Sequence, residues 1–192
     1  MILLLNGTFG VGKTTVAGLI GGQLPATSVY DPEMIGFVLR RVLSPVRQAA
    51  DYQDLQLWRR ATIWGAWAMR RRRHLIVPMT LWRRGYFAEI TAGLRRIDAG
   101  LLCIRLTASE ESIRQRIMAS DDAAARAWRL GHLASGVRAM TDPAFGIEIS
   151  TEGRTAADVA DAVLRRLSAA RSTNNATARP DWATGDGRGP LP

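Results

Sequence analysis

Gly7 and Gly12 bracket Thr8-Phe9-Gly10-Val11, and Lys13, Thr14 and Thr15 follow at once. Glycines at Gly7, Gly10 and Gly12 let successive backbone N–H groups, that of Val11 among them, turn inward around phosphate oxygens. A helix opening at Lys13 adds its positive end. This spacing predicts a nucleotide site. Lys13 is positioned to reach the β and γ phosphates, Thr14 to offer its hydroxyl to Mg²⁺, and Thr15 to meet the α-phosphate. Lys13 is also the one lysine among 26 basic residues. Where composition has otherwise moved to arginine, a retained lysine marks a place where a compact ammonium cannot be exchanged for a planar fork.

Asp31, in Tyr30-Asp31-Pro32-Glu33, stands at the expected end of a second strand, taken to lie beside the first. Its carboxylate is a candidate general base or Mg²⁺ organiser; helix capping ahead of Pro32 is the competing role. Arg114, Arg116, Arg126 and Arg129 follow the fourth strand, where phosphoryl-transfer enzymes carry a mobile lid, and Arg116 is the first choice, with surface pairing to Asp121 or Asp122 as the alternative. Trp58, Trp64, Trp67, Trp82, Tyr86 and Phe87 are candidates for an acceptor pocket, although aromatics at helical spacing more often fill a core. Thr80, just past a third strand, is a further acceptor-site candidate. His74 and His132 lack metal-ligand spacing.

The elements that must hold these residues follow from periodicity. Apolar residues 2 to 6 make a strand, and Val16, Leu19, Ile20 and Leu24 carry helical spacing up to Pro25. Residues 27 to 30 read as a second buried strand, and a helix from Pro32 runs to about Leu43. A segment from about Gln53 to Arg73 reads as a helix with Leu57, Ala61, Trp64 and Ala68 on its apolar face and Arg70 to Arg73 as a solvated end. Leu75 to Val77 is a third strand, broken by Pro78, and helical spacing returns over 86 to 97. Leu101 to Leu106 is a fourth strand, and Ser109 with Glu110 and Glu111 signals the next helix start. Residues 147 to 149 make a fifth strand, and Val159, Val163 and Leu167 stripe a last helix. The alternation predicts an α/β fold: a three-layer α/β/α sandwich around a five-stranded, mostly parallel sheet, with ligands at the carboxyl ends of the strands. Residues 1 to 171 form one domain; 172 to 192, without apolar periodicity, read as a disordered tail.

Composition narrows the function classes. A net charge of +9 invites nucleic acid, but arginines scattered as pairs along many segments do not make a binding arm, so no nucleic-acid partner is expected. Nucleotides and acidic lipid surfaces would exploit the same field. The single Cys103, inside an apolar run, reads as a buried, inert thiol and suits a reducing cytoplasm. No stretch reaches the ~18 apolar residues of a spanning helix, so a cytoplasmic chain, at most peripheral to membrane, is expected. A homodimer is compatible with the sequence.

The loop at Asn6 to Thr14, Tyr30 to Phe37, Leu57-Trp58-Arg59, Leu75 to Thr80 and Tyr86-Phe87 together resemble the tunicamycin-resistance family of ATP-binding proteins over residues 1 to 167. The resemblance implies a P-loop kinase-like fold, ATP with Mg²⁺ at the loop, and protection against a uridine-containing antibiotic. It places Asp31 and Thr80 on matching positions and draws Trp58, Arg59 and Tyr86 into the substrate site. Some relatives carry a second lid arginine four residues after the position of Arg116; here it is Ser120, so either Arg126 substitutes for it or the lid is weaker. The tail lacks the amphipathic helix that could attach a relative to membrane. The expected activity is phosphoryl transfer to a hydroxyl of tunicamycin or a similar nucleoside antibiotic. The alternatives are a protein that sequesters the drug without chemistry and a kinase of another small metabolite.

Overall fold

The structure, a computed structural model, describes residues 1–32, 56–70, 73–120 and 122–177. The helix expected to run from Pro32 to Leu43, apart from Pro32 itself, the first residues of the next, Asp121 and residues 178–192 lie outside them.

Five parallel strands form one sheet in the order β2-β3-β1-β4-β5. Strand β1 (Ile2–Gly7) is central and wholly buried. Its side chains alternate between two cores: Leu3 and Leu5 face one, Ile2 and Leu4 the other. Helix α1 (Lys13–Gln23) covers the first face, with Val16, Ala17 and Ile20 inward. The second face is covered by α2 (Gln56–Arg70) and α3 (Arg84–Ile97). Strands β2 (Thr27–Val29), β3 (His74–Met79), β4 (Leu102–Thr107) and β5 (Ile147–Ser150) complete the sheet. Helices α4 (Glu110–Met118), α5 (Ala123–Gly131) and α6 (Leu133–Ala139) lie between β4 and β5, and α7 (Ala156–Thr177) packs on α1. Ser109 caps α4 by accepting the Ser112 N–H at 3.2 Å.

Several expectations change. Strand β2 is a partly exposed edge strand rather than a buried one, and β3, not β2, lies beside β1. Pro78 does not break β3. Even-numbered residues of β3 donate towards β2, as His74 N–H does to Ala26 O, and odd ones towards β1, as Leu75 N–H does to Met1 O. Pro78 therefore faces past the end of β2 at Val29, where a missing N–H costs no ladder bond. In α2 the face carrying Leu57 and Trp64 is exposed, and Trp58, Thr62 and Ala66 turn to the core instead. Small residues explain the choice: a Cβ on Gly65 would stand 2.2 Å from the Tyr30 hydroxyl, so only this side admits Tyr30. Arg70 is no solvated helix end, since its Nε donates to Asp98 at 2.7 Å. Helix α7 runs past Ser172 to Thr177, helped by the Ser172 hydroxyl donating to Ser168 O, so order extends beyond the boundary expected at residue 171. Cys103 is half-buried, and burial pushes its thiol up to about 11, which leaves it unreactive.

Candidate functional site

The loop between β1 and α1 takes the conformation its glycines permit. Gly10 has φ +75° and Gly12 φ +98°, left-handed values that L side chains resist. Helix α1 then begins with no side-chain cap and no acidic residue in its first turn, so no acid of that turn competes for its N-terminal N–H groups. Thr14 and Thr15 are exposed there. Lys13 is 8% exposed and folds back over the loop, its Nζ donating to Gly7 O at 3.1 Å and Thr8 O at 3.0 Å. Val11 sends its side chain into the core, so what it offers a ligand is backbone.

Asn6, which sequence reasoning passed over, anchors this loop. Its Nδ2 donates to Leu81 O at 2.9 Å, while its Oδ1 accepts the Leu81 N–H at 2.8 Å and the Gly7 N–H at 2.9 Å. Buried Thr80 is thereby held one residue from a fixed point beside the loop. A strand ending in asparagine before the loop glycine was the available signal; its partner, 75 residues away, was not.

Asp31 is bracketed by two clamps. Tyr30 N–H donates to Ile76 O at 2.8 Å, and the Tyr30 hydroxyl donates to Thr62 O at 3.2 Å; burial pushes that phenol up to about 12, so it stays protonated. On the other side the Trp58 indole donates to Pro32 O at 2.8 Å. Trp58, expected against substrate, is 1% exposed and serves as this clamp. Phe87 is likewise core, in an edge contact with Phe145. Arg59 and Tyr86 do come together: the Arg59 guanidinium lies 4.4 Å from the Tyr86 ring centre while its Nε donates to Glu89 at 2.6 Å. Trp64 and Trp67 lie on the exposed side of α2.

The segment after β4 is partly committed elsewhere. Arg116, expected over the phosphates, donates from Nη1 to Thr151 Oγ1 at 2.8 Å and from Nη2 to Thr151 O at 3.0 Å, bracing the loop after β5. Arg114 pairs with Glu110 and Arg129 with Asp122. Arg126 donates from Nη2 to Ser120 O at 2.8 Å, and its buried Nε has no partner among the described residues. Above the loop, Phe9 meets Trp128 at 4.8 Å and Trp82 at 5.9 Å, and His132 stacks on Trp128 at 4.5 Å. Helix α6 closes down on Thr8 at Gly136, where a Cβ would stand 2.3 Å from the threonine hydroxyl. Beside them, at the carboxyl ends of β4 and β5, opens a cavity of about 440 Å³ lined by Thr8, Thr107, Ser109, Glu148, Ser150 and Glu152 among others. Hydrogen bonds from the Ser112 hydroxyl and the Ser109 N–H hold Glu152 below the usual carboxylate range. Among the described residues no cluster of His, Cys, Asp and Glu is built to hold a metal by itself.

A family model described as an AAA domain matches residues 2–133. Among solved structures, the chain is similar to the Deinococcus radiodurans tunicamycin resistance protein, at 22% identity and a TM-score of 0.72, covering 87% of this chain and 95% of that one. A gluconokinase from Sinorhizobium meliloti matches at 15% identity and TM-score 0.65 over 93% of this chain and 97% of that one. Shikimate kinase from Acinetobacter baumannii matches at 14% and 0.59, over 88% and 93%. No curated protein matches the chain. At these identities the likeness is one of fold, which is that of the P-loop kinases.

Proposed function

This chain belongs to the AAA domain family, and we propose that it is an ATP-dependent phosphotransferase acting on a hydroxyl of a small molecule, tunicamycin or a similar nucleoside antibiotic. The observation that carries the reading is the coupling through Asn6 of the glycine loop to the segment bearing Thr80, which joins a phosphate cradle to an acceptor shelf.

The residues present fit ATP and Mg²⁺. An added Cβ at Gly12 would meet nothing within 4 Å, and the uncapped start of α1 offers N–H groups and the exposed Thr14 and Thr15 hydroxyls. Lys13 and the N–H groups of Gly10, Val11 and Gly12 would hold the β and γ phosphates, Thr15 the α-phosphate, and Thr14 the metal. ATP with Mg²⁺ supplies the transferable phosphoryl group and offsets its charge. Asp31, fixed between Tyr30 and Pro32, takes the proton of the acceptor hydroxyl. Thr80, Arg59 and Tyr86 orient the acceptor. Since Arg116 is spent on Thr151, Arg126 is the better candidate to close over the phosphates, and Arg116 serves by bracing the neighbouring loop.

The test is to incubate the purified protein with ATP, Mg²⁺ and tunicamycin and weigh the drug by mass spectrometry. A gain of one phosphoryl group, lost in Lys13→Ala and nearly so in Lys13→Arg, is expected. Drug that binds the protein but leaves at unchanged mass would make this a sequestering protein. Absence of both binding and modification would move the acceptor to another small metabolite.

A further inference from the structure

The cavity of about 440 Å³ at the carboxyl ends of β4 and β5 has no role in the reaction proposed above. In the sheet order β2-β3-β1-β4-β5 it lies to one side of β1, while Asp31 follows β2 and Thr80 follows β3 on the other. Its lining is graded in polarity: Leu106, Ile113 and Met140 are buried, whereas Glu148 and Glu152 are exposed at its mouth. Thr8 also lines it and is 2% exposed, yet its Oγ1, turned toward Gly136 of α6, has no hydrogen-bond partner. Buried hydroxyls are nearly always paired, because an unpaired one has given up its hydration for nothing. This orphan marks the place of a polar atom supplied from outside the chain.

Charge selects the occupant. In a chain of net charge +9, none of the described residues lining this cavity is basic and two are carboxylates. Glu148 already shares its charge with Arg105, whose Nη2 donates to it at 2.5 Å. Glu152 is held by hydrogen bonds from Ser109 and Ser112 and has no ion pair among the described residues. Those bonds keep it below the usual carboxylate range and therefore ionised at neutral pH. A cation fits at this mouth, where water can still share its solvation. Deeper in, beside Thr8, a second charge would lose its hydration with no counter-charge, whereas a neutral hydroxyl can both donate to and accept from Oγ1. Between the two ends the lining suits hydrocarbon.

We propose that this cavity binds a small aliphatic amino alcohol, with its ammonium on Glu152, its methylenes over Leu106, Ile113 and Met140, and its hydroxyl against Thr8 Oγ1.

Titration calorimetry of the full chain with aminobutanol and aminohexanol, each against the plain amine and the diol of the same length, tests this. At least one amino alcohol is expected to bind about tenfold or more tightly than both of its controls, since each control lacks one of the two polar ends. Thr8→Val, which keeps the shape and removes the hydroxyl, should lower its affinity to that of the plain amine. Glu152→Gln, which keeps an acceptor for Ser109 and Ser112, should lower it to that of the diol. Melting curves check that both variants are folded. If either is not, Thr141→Arg, which brings a cation to an exposed position on the cavity lining, must itself weaken the amino alcohol about tenfold and leave the diol unchanged. No binding of either amino alcohol, equally tight binding of an amine or a diol, or unchanged affinity in the folded variants overturns the proposal. The titrations contain no nucleotide and no antibiotic, so their failure leaves the phosphotransferase reading standing.

Discussion

The side chain of Asn6 and the backbone of Leu81 are bonded in both directions, Nδ2 to the carbonyl at 2.9 Å and N–H to Oδ1 at 2.8 Å. An amide is the group that can do both from one position, donating and accepting at once. Since Oδ1 also takes the Gly7 N–H, one buried side chain ties the start of the loop to the end of β3. Asn6→Leu should strand Gly7 N–H, Leu81 N–H and Leu81 O in the interior, costing about 1–3 kcal/mol for each group left unpaired. Asn6→Asp keeps the acceptor but brings a buried charge and loses the donor. Denaturant melts should show a large loss in Asn6→Leu, with weaker nucleotide affinity; a melt and affinity near wild type would mean that the loop holds its own shape.

Helix α6 stands over the loop only because residue 136 has no side chain. A Cβ there would lie 2.3 Å from Thr8 Oγ1 and 3.7 Å from the Trp82 ring, whereas one at Gly131 would meet nothing within 4 Å. Gly136→Ala should therefore destabilise by about 1–3 kcal/mol through overpacking, and Gly131→Ala should be neutral. Matched melts of the two variants decide it. Equal melting points would show that α6 lifts freely off Thr8.

How much of this was legible in sequence depends on distance along the chain. The loop was readable because its glycines, Lys13, Thr14 and Thr15 act within one turn of each other. The α2 stripe was also readable as apolar, but periodicity does not say which of two apolar sides meets the core; Gly65 and Tyr30 decide that, and they meet only in space. Strand order is likewise not written locally: Asp31 follows β2, and β3 stands between β2 and β1. Asn6, Trp58 and Arg116 take their roles from partners at Leu81, Pro32 and Thr151, which no local pattern names.

At the opposite end of the sheet Asp98 receives the Met1 ammonium at 2.9 Å and Arg70 at 2.7 Å, with His74 Nδ1 3.1 Å from the same ammonium. Burial alone would raise the Asp98 carboxyl, but hydrogen bonds and charge from Met1 and Arg70 together hold it below its ordinary 3.8. Burial first, then the Met1 and Arg70 charges, lower His74 below 6.5. Both shifts favour the form present at higher pH. Folding stability should therefore fall as pH drops from 6.5 through the His74 value, and again below 3.8 as Asp98 takes its proton. In Asp98→Asn the second loss should vanish, read from denaturant midpoints across that range. An acid limb as steep in the variant as in wild type would place the responsible carboxylate elsewhere.

Asp31 allows capping and chemistry to be separated by one atom's change. Its neighbours are clamped by Tyr30 N–H on Ile76 O and Trp58 on Pro32 O, neither of which involves its carboxylate, so Asp31→Asn should leave the backbone where it is. Asparagine caps helices about as well as aspartate, whereas loss of a cap altogether costs about 1 kcal/mol. Loss of general-base assistance costs about 10²- to 10⁴-fold in rate. We therefore expect Asp31→Asn to melt near wild type, to bind ATP, and to transfer phosphate at least about a hundredfold more slowly. Unchanged turnover on the acceptor that wild type uses would reduce Asp31 to a cap, and the base would then have to be sought on another element.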